Sequence, residues 1–224
     1  QMFGAMYKTY YAEKAGLDPK DIVFVSCIPC TAKKFEVGRD HQNAAGVPDV
    51  DVAITTRELA RLIEKAGINF KALPDEKFDQ PFDIGSGAGA IFGATGGVME
   101  AALRTAAEVI LGKPLEKLDF DDVRGTAPIK RATYKLGDME IKVAVASGTK
   151  NANELLTKVQ NGEEKVDFIE IMACPGGCVN GGGQPLQPAS VRNNVDLRAL
   201  RAAVLYKADA NMDLRKSHEN SAVK

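Results

Sequence analysis

Cys174 and Cys178 stand four apart in Glu170-Ile-Met-Ala-Cys-Pro-Gly-Gly-Cys-Val-Asn-Gly-Gly-Gly-Gln-Pro185, directly after a short apolar run from Val166 to Met172. Thiolates are soft ligands, and clusters of iron and sulfide are held by Cys at such short spacing. The surrounding glycines let the backbone approach the sulfurs and aim N–H groups at them, which tunes a cluster's potential. A hydrophobic core has no use for Gly181-Gly182-Gly183 followed by Gln184-Pro185. A metal or cluster site explains this segment better than two unrelated buried thiols.

A second set, Cys27 and Cys30, lies in Ser26-Cys-Ile-Pro-Cys-Thr-Ala-Lys-Lys-Phe-Glu36. Pro29 fixes the backbone before Cys30 and holds Ile28 extended. In a chain of 224 residues, C-x-x-C reads first as metal binding or redox chemistry. Lys33 and Lys34 are placed to direct ammonium groups toward an anionic cofactor, with Glu36 as a carboxylate in reach of a proton; a solvated helix start is the plainer reading of the lysines. Cys27 continues an apolar run and reads as a small buried hydrophobe. His41 and His218 fall in polar stretches and read as surface residues, against a histidine-rich metal site. On these residues alone, a structural zinc or a two-iron ferredoxin-type centre stays open beside a larger cluster.

The elements that must carry these loops alternate between strand and helix. Met2 to Ala15 has Met2, Phe3, Met6 and Tyr10 at helical spacing and ends at Gly16. Asp21 to Ser26 is a continuous β-branched and aromatic run, which predicts a buried strand, and Val50 to Ile54 is a second strand. Thr55 to Glu58 carries a helix start signal before a helix that stops at Gly67. A small-residue stretch from Asp83 to Thr95 precedes a helix over Val98 to Leu111. That stretch fits no nucleotide loop in any register, and close packing against a bulky cofactor explains it better. Gly125 to Tyr134 and Glu140 to Ser147 read as two strands, Asn151 to Val159 as a helix, and Val195 to Tyr206 as another. Alternation of this kind points to an α/β architecture. Both cysteine sets follow a predicted strand, where α/β sheets bind ligands, so the two loops are expected to converge on one site.

The composition is globular: 45% hydrophobic and 26% charged, with a formal net charge of −1. With no basic excess, a nucleic-acid partner has no electrostatic support. No apolar run reaches the roughly 18 residues of a membrane span. The chain opens on Gln1 inside an amphipathic pattern, which reads as a piece of a longer protein.

Taken together, the cysteine segments resemble those of the iron-only (FeFe) hydrogenases. That family's second signature, roughly Met-Pro-Cys-x-x-Lys-x-x-Glu, is matched by Ile28 to Glu36. Its third, Glu-x-Met-Ala-Cys-x-x-Gly-Cys-x-x-Gly-Gly-Gly-Gln-Pro, is matched throughout by Glu170 to Pro185. Gln1 to Tyr11, Phe92 to Arg104 and Pro188 to Arg192 also resemble the family. The resemblance implies reversible reduction of protons to hydrogen at an H-cluster, a 4Fe–4S cubane bridged to a two-iron site with CO, cyanide and dithiolate ligands. By that resemblance Cys30, Cys174 and Cys178 are three of the cubane's four thiolates, and Cys178 bridges to the two-iron site. Lys33 would hydrogen-bond a cyanide, with Glu36 beside it among the catalytic residues. Ile28, Pro29, Phe92 and Met172 would line the pocket.

The implied fold is a two-lobed α/β catalytic domain, with small parallel or mixed sheets flanked by helices and the cofactor in the cleft. Residues 1–224 would form one partial domain, with lobe portions 1–80 and 81–224. The implied partners are ferredoxin or another electron carrier, the upstream part of the same polypeptide, and hydrogenase maturation proteins. The cysteines suit an anaerobic cytoplasm, while a periplasmic form would carry its signal on sequence ahead of Gln1. The family's first, Thr-Ser-Cys-rich signature is absent, and with it the fourth ligand and a proton-relay cysteine, so the chain alone is expected to be inactive. Cys27 could replace the missing ligand if the preceding strand ends at Ser26. A hydrogen-sensing or cluster-binding relative without fast turnover is the alternative function.

Overall fold

The computed structural model describes residues 1–79 and 85–222. It divides into two compact units, Gln1–Pro81 with Gly181–Leu186, and Phe82–Asn180 with Gln187–Lys224. The expected lobe boundary at 80/81 falls outside the described residues.

In the first unit, helix α1 (Met2–Met6) continues through a π-helical turn, Tyr7–Tyr11, into α2 (Ala12–Ala15). Gly16 ends it in the left-handed conformation, φ 66°, where a side chain would be strained. The buried stripe is Gly4, Lys8 and Ala12. The apolar residues that suggested a core face, Met2, Phe3, Met6 and Tyr10, are exposed instead. Close approach decides this choice, because a Cβ on Gly4 would lie 2.1 Å from the Asp49 carbonyl oxygen. Lys8, 1% exposed, donates from Nζ to the Pro48 carbonyl and to Asp51 Oδ2, each at 2.6 Å.

Strands β1 (Val25–Cys27) and β2 (Val52–Ile54) pair in parallel, with Val25 opposite Val52 and Cys27 opposite Ile54. Val25 and Cys27 are exposed, so β1 is not the buried strand expected. Helix α3 (Lys33–Glu36) follows the Cys30 loop, and α4 (Thr56–Lys65) follows β2. The start signal at Thr55 is a full capping box. Thr55 Oγ1 accepts from the Glu58 N–H at 3.3 Å, and Glu58 Oε2 accepts from the Thr55 N–H at 2.8 Å.

In the second unit, α5 (Gly87–Ala90) and a 3-10 turn (Ile91–Gly93) lead into α6 (Gly97–Leu111). The hairpin β3 (Ile129–Leu136) and β4 (Met139–Ser147) turns at Gly137 and Asp138, with Gly137 at φ 62°. Helix α7 (Thr149–Gln160) then crosses to β5 (Phe168–Met172), which lies parallel to β4. Helices α8 (Ala189–Arg192) and α9 (Leu197–Ala210) follow. The order β3-β4-β5 is a small mixed sheet with a packed cluster on each face. Met99, Leu103, Val123, Val143 and Val145 form one cluster, and Ala144, Ala146 and Leu155 the other. Each large side chain so covered contributes roughly 1.5–3 kcal/mol. The α/β class with small sheets flanked by helices is thus as expected.

Several of the small residues at 85–97 pack closely against the protein's own atoms. A Cβ on Gly93 would meet Leu205 Cδ1 at 2.6 Å, one on Gly96 the Val123 carbonyl oxygen at 1.8 Å, and one on Gly97 the Ile91 carbonyl oxygen at 1.8 Å. On α9, Leu200 and Val204 face outward while Asp209 is fully buried. Asp209 receives Arg104 through two hydrogen bonds of 2.8 Å, and Arg104 Nη2 also donates to Glu100 Oε1 at 2.7 Å.

Candidate metal centre

The Cys30 loop begins where β1 ends. Ile28 extends the ladder by one bond, its N–H donating to the Ile54 carbonyl at 3.0 Å. Pro29 removes the next donor, and its carbonyl accepts from the Gly183 N–H at 3.1 Å. Gly183 belongs to the other cysteine segment, so the end of that segment docks onto this loop. It can do so only as glycine, since a Cβ there would lie 2.6 Å from both Thr55 Cβ and Thr55 Cγ2. The Arg57 guanidinium completes the clasp by donating from Nη1 to the Gln184 carbonyl at 3.2 Å. The capping box therefore has a second effect: it holds the helix start that carries Thr55 and Arg57 against 183–184. Glu58 within it is pulled to a pKa of about 2, first by the Thr55 backbone N–H and then by Lys34 and the Thr55 hydroxyl.

Lys33 and Glu36 form an ion pair with each other on α3, and both reach solvent. Lys34 is bonded to Glu58 Oε1 at 2.9 Å. The ammonium of Lys33 has three N–H donors, so pairing with Glu36 leaves others for an anionic ligand. Cys27 lies within β1 and is exposed. Both readings made for it are thereby corrected: it is no buried hydrophobe, and the strand does not end at Ser26. Ile28, Pro29 and Cys30 are half-buried.

In the second unit, Met172 closes β5 and Cys174 opens the loop beyond it. The chain reverses through Gly176 at φ 87° and Gly177 at φ 96°, which only glycine adopts without strain. The Gly177 N–H donates to the Cys174 carbonyl at 2.9 Å, the Gly176 N–H to Ser147 Oγ at 3.1 Å, and the Thr95 N–H to the Gly176 carbonyl at 3.1 Å. A Cβ on Gly177 would be 2.7 Å from the Thr95 nitrogen and 2.8 Å from the Gly93 oxygen. The amides of Gly176, Gly177 and Gly183 are thus engaged by oxygen. These glycines fix the loops by close packing. Phe92 sits on the turn Ile91–Gly93, 44% exposed, and Met172 is half-buried.

Sequence reasoning missed the structural role of Glu170. This residue is 6% exposed, and its carboxylate accepts from the Gly96 N–H through Oε1 and from the Met99 N–H through Oε2, both at 2.7 Å. It caps α6 from a neighbouring strand, because Gly96 offers no side chain of its own. No spacing rule in one segment could point to a cap supplied from 74 residues away.

None of the four cysteines is in a disulfide. Cys30 belongs to the first unit and Cys174 and Cys178 to the second, each in a loop whose backbone is pinned by hydrogen bonds. Taken by itself, each loop offers soft thiol donors of the kind an iron–sulfur cubane takes, one on the first unit and two on the second, so the donor chemistry present fits that group.

Residues 1–182 match the model for the C-terminal domain of the iron only hydrogenase large subunit, and residues 195–224 match that for the iron hydrogenase small subunit. The chain is 52% identical over 220 residues to the NADP-reducing hydrogenase subunit HndD of Solidesulfovibrio fructosivorans, covering 98% of this chain and 37% of that protein. It is 46% identical over 223 residues to iron hydrogenase 1 of Clostridium pasteurianum, covering 100% and 39%. The chain thus spans well under half the length of these relatives. A variant of the FeFe-hydrogenase HydA1 from Chlamydomonas reinhardtii has the same fold, with a TM-score of 0.77 at 41% identity, covering 99% of this chain and 62% of that one. The small-subunit match was not foreseen from sequence, yet that segment is built into the second unit: Arg201 donates to the Val179 carbonyl at 3.0 Å, and Asp209 receives Arg104. From its motifs, its fold and these likenesses, the chain belongs to the family of C-terminal domains of iron-only hydrogenase large subunits.

Proposed function

We propose that the protein containing this chain interconverts protons and hydrogen at an H-cluster, a 4Fe–4S cubane bridged to a two-iron site with CO, cyanide and dithiolate ligands. The carrying observation is the Cys174–Cys178 loop, two thiols four apart on a backbone pinned at Thr95, Ser147 and Cys174. Cys30, Cys174 and Cys178 would hold the cluster, and a preceding segment of the same polypeptide would supply the fourth thiolate and the relay cysteine. When bound, the cluster would pass on electrons from the carrier and offer the open iron that the reaction needs.

The rest is the work of this chain's residues. Lys33 would offer its ammonium to an anionic ligand of the cluster, while Glu36, ion-paired with it, would orient that ammonium and accept a proton. Ile28, Pro29, Phe92 and Met172 exclude water from the pocket. Isoleucine at 28, where the family usually has methionine, alters the pocket's shape and polarisability modestly. Electrons come from ferredoxin or a similar carrier, maturation proteins install the two-iron site, and the cytoplasm is the proposed compartment. No helix among the described residues is long and apolar enough to cross a membrane.

The test is iron and acid-labile sulfide content with the electron spin resonance of the anaerobically loaded protein, followed by hydrogen release from a reduced viologen dye. A cubane signal lost in Cys30→Ser, Cys174→Ser and Cys178→Ser supports the ligand set. A signal with no hydrogen release from the matured protein would favour the sensing or cluster-binding relative. A colourless protein carrying zinc would overturn the reading.

A further inference from the structure

Lys130, on β3, is a buried cation that the proposed chemistry does not use. It is 7% exposed, and its Nζ donates to the Thr95 carbonyl at 2.8 Å and the Gly125 carbonyl at 3.0 Å, with Thr95 Oγ1 at 3.5 Å. Burial pushes its pKa down to about 8, opposed by the Glu170 carboxylate, so it still carries its charge at neutral pH. A methionine would fill the same volume without the desolvation cost, so an ammonium here calls for a reason beyond packing.

That reason lies in what Thr95 does next. While its carbonyl accepts from Lys130, its N–H donates to the carbonyl of Gly176, between Cys174 and Cys178. The packing there is too tight for the loop to shift alone, since even a Cβ on Gly177 would strike Thr95, Gly93 and Ala94. The same turn is held by Glu170 too, which accepts from the Gly96 N–H and stands on the strand leading into the cysteines. The turn at Thr95–Gly96 is thus bonded by both a buried cation and a buried carboxylate, and Thr95 in turn bonds the cysteine loop.

We propose that Lys130 is a positioning residue for the Cys174–Cys178 loop, acting through Thr95 and placing a fixed positive charge behind a loop that carries anionic thiolates. This rests on the cluster reading above. A nearby cation favours the reduced, more negative state of a cluster, so loss of the charge lowers the reduction potential.

The experiment compares Lys130→Met, of similar length and uncharged, with Lys130→Arg, which keeps charge and donors. In the unloaded protein, amide hydrogen exchange over residues 93–97 and 174–178 is expected to rise about tenfold or more in the Met variant, with α7 unchanged and the Arg variant near the parent. After loading, the cluster's midpoint potential is expected to fall in the Met variant and to stay at the parent's value in the Arg variant. Exchange in the Met variant within about twofold of the parent, or an unchanged potential, overturns the proposal. Failure of the parent itself to take up iron removes the cluster reading instead, and the exchange data still decide the role of Lys130 in placing the loop. Should the Met variant fail to fold, exchange in the parent decides: amides at 95 and 177 no slower than those at 161–165 overturn the proposal.

Discussion

Replacing Glu170 by glutamine tests the cap that ties β5, the cysteine loop and α6 together. The carboxylate accepts two backbone N–H groups, each at 2.7 Å and each within a buried site. Hydrogen bonds to a charged acceptor contribute about 1.5–3 kcal/mol apiece. Glutamine keeps one acceptor oxygen but turns an NH2 toward the other N–H, so one of the two bonds is lost outright. The surviving bond is no longer charge-assisted and loses about 1 kcal/mol, and the dipole of α6 loses its compensating anion, about 0.3–1 kcal/mol. The expected cost is therefore about 3–5 kcal/mol, a large part of the roughly 5–15 kcal/mol that holds a domain folded.

Urea denaturation followed by far-ultraviolet circular dichroism reads this directly. With a slope of about 2 kcal/mol per molar urea, the midpoint should fall by about 1.5–2.5 M. If the two units unfold separately, only the transition of the second should move, which supplies an internal control. A shift below about 0.3 M would refute the argument that Glu170 is the cap of α6. The double variant Lys130→Met/Glu170→Gln should be more stable than the sum of the single effects predicts, with a coupling of about 0.5–3 kcal/mol, since the Glu170 carboxylate favours the buried charge on Lys130 and both hold the same turn.

Further outcomes follow from the same geometry. Gly177→Ala combines left-handed strain with contact on Thr95 and Gly93, and should cost about 2–4 kcal/mol and lower iron uptake, read by denaturation and metal analysis. Arg104→Met leaves Glu100 and Asp209 buried with weaker compensation and should destabilise by about 3–5 kcal/mol, measured by thermal or urea unfolding. Cys27→Ser, at an exposed strand position, should retain iron as the parent does, whereas Cys30→Ser should not. Glu58 has a folded-state pKa of about 2 against an ordinary 4.5, so its contribution is fully present above 4.5 and lost as pH falls toward 2. In Glu58→Gln that part of the acid-side loss should be missing from a pH titration of stability.

The cysteines, the glycine run and the alternation of strands and helices were legible in the chain because each is a local signal. Ligand chemistry shows in residue type and spacing. Helix periodicity and the Thr55–Glu58 capping box are set by neighbours within four residues. The strand and helix order of the second unit was therefore readable from β3 to β5, and the α/β class with it.

Tertiary packing decided which surface each element buries. The first helix turns Gly4, Lys8 and Ala12 inward although its larger apolar side chains lie elsewhere, because Gly4 must meet the backbone at Asp49. Strand β1 reads as a core strand, yet Val25 and Cys27 are exposed, because what covers a strand's face is set by distant segments and not by its own residues. The spacing of the glycines did not show that two of them serve close packing, against the Thr55 side chain for Gly183 and against the Thr95 backbone for Gly177. The hold of Glu170 and Lys130 on the turn at 95–96 was silent in sequence, since Gly96 and Thr95 lie 74 and 35 residues from them in the chain. Which donors the chain offers is a property of its composition and spacing; which of them a loop can hold still is settled only when distant segments are brought into contact.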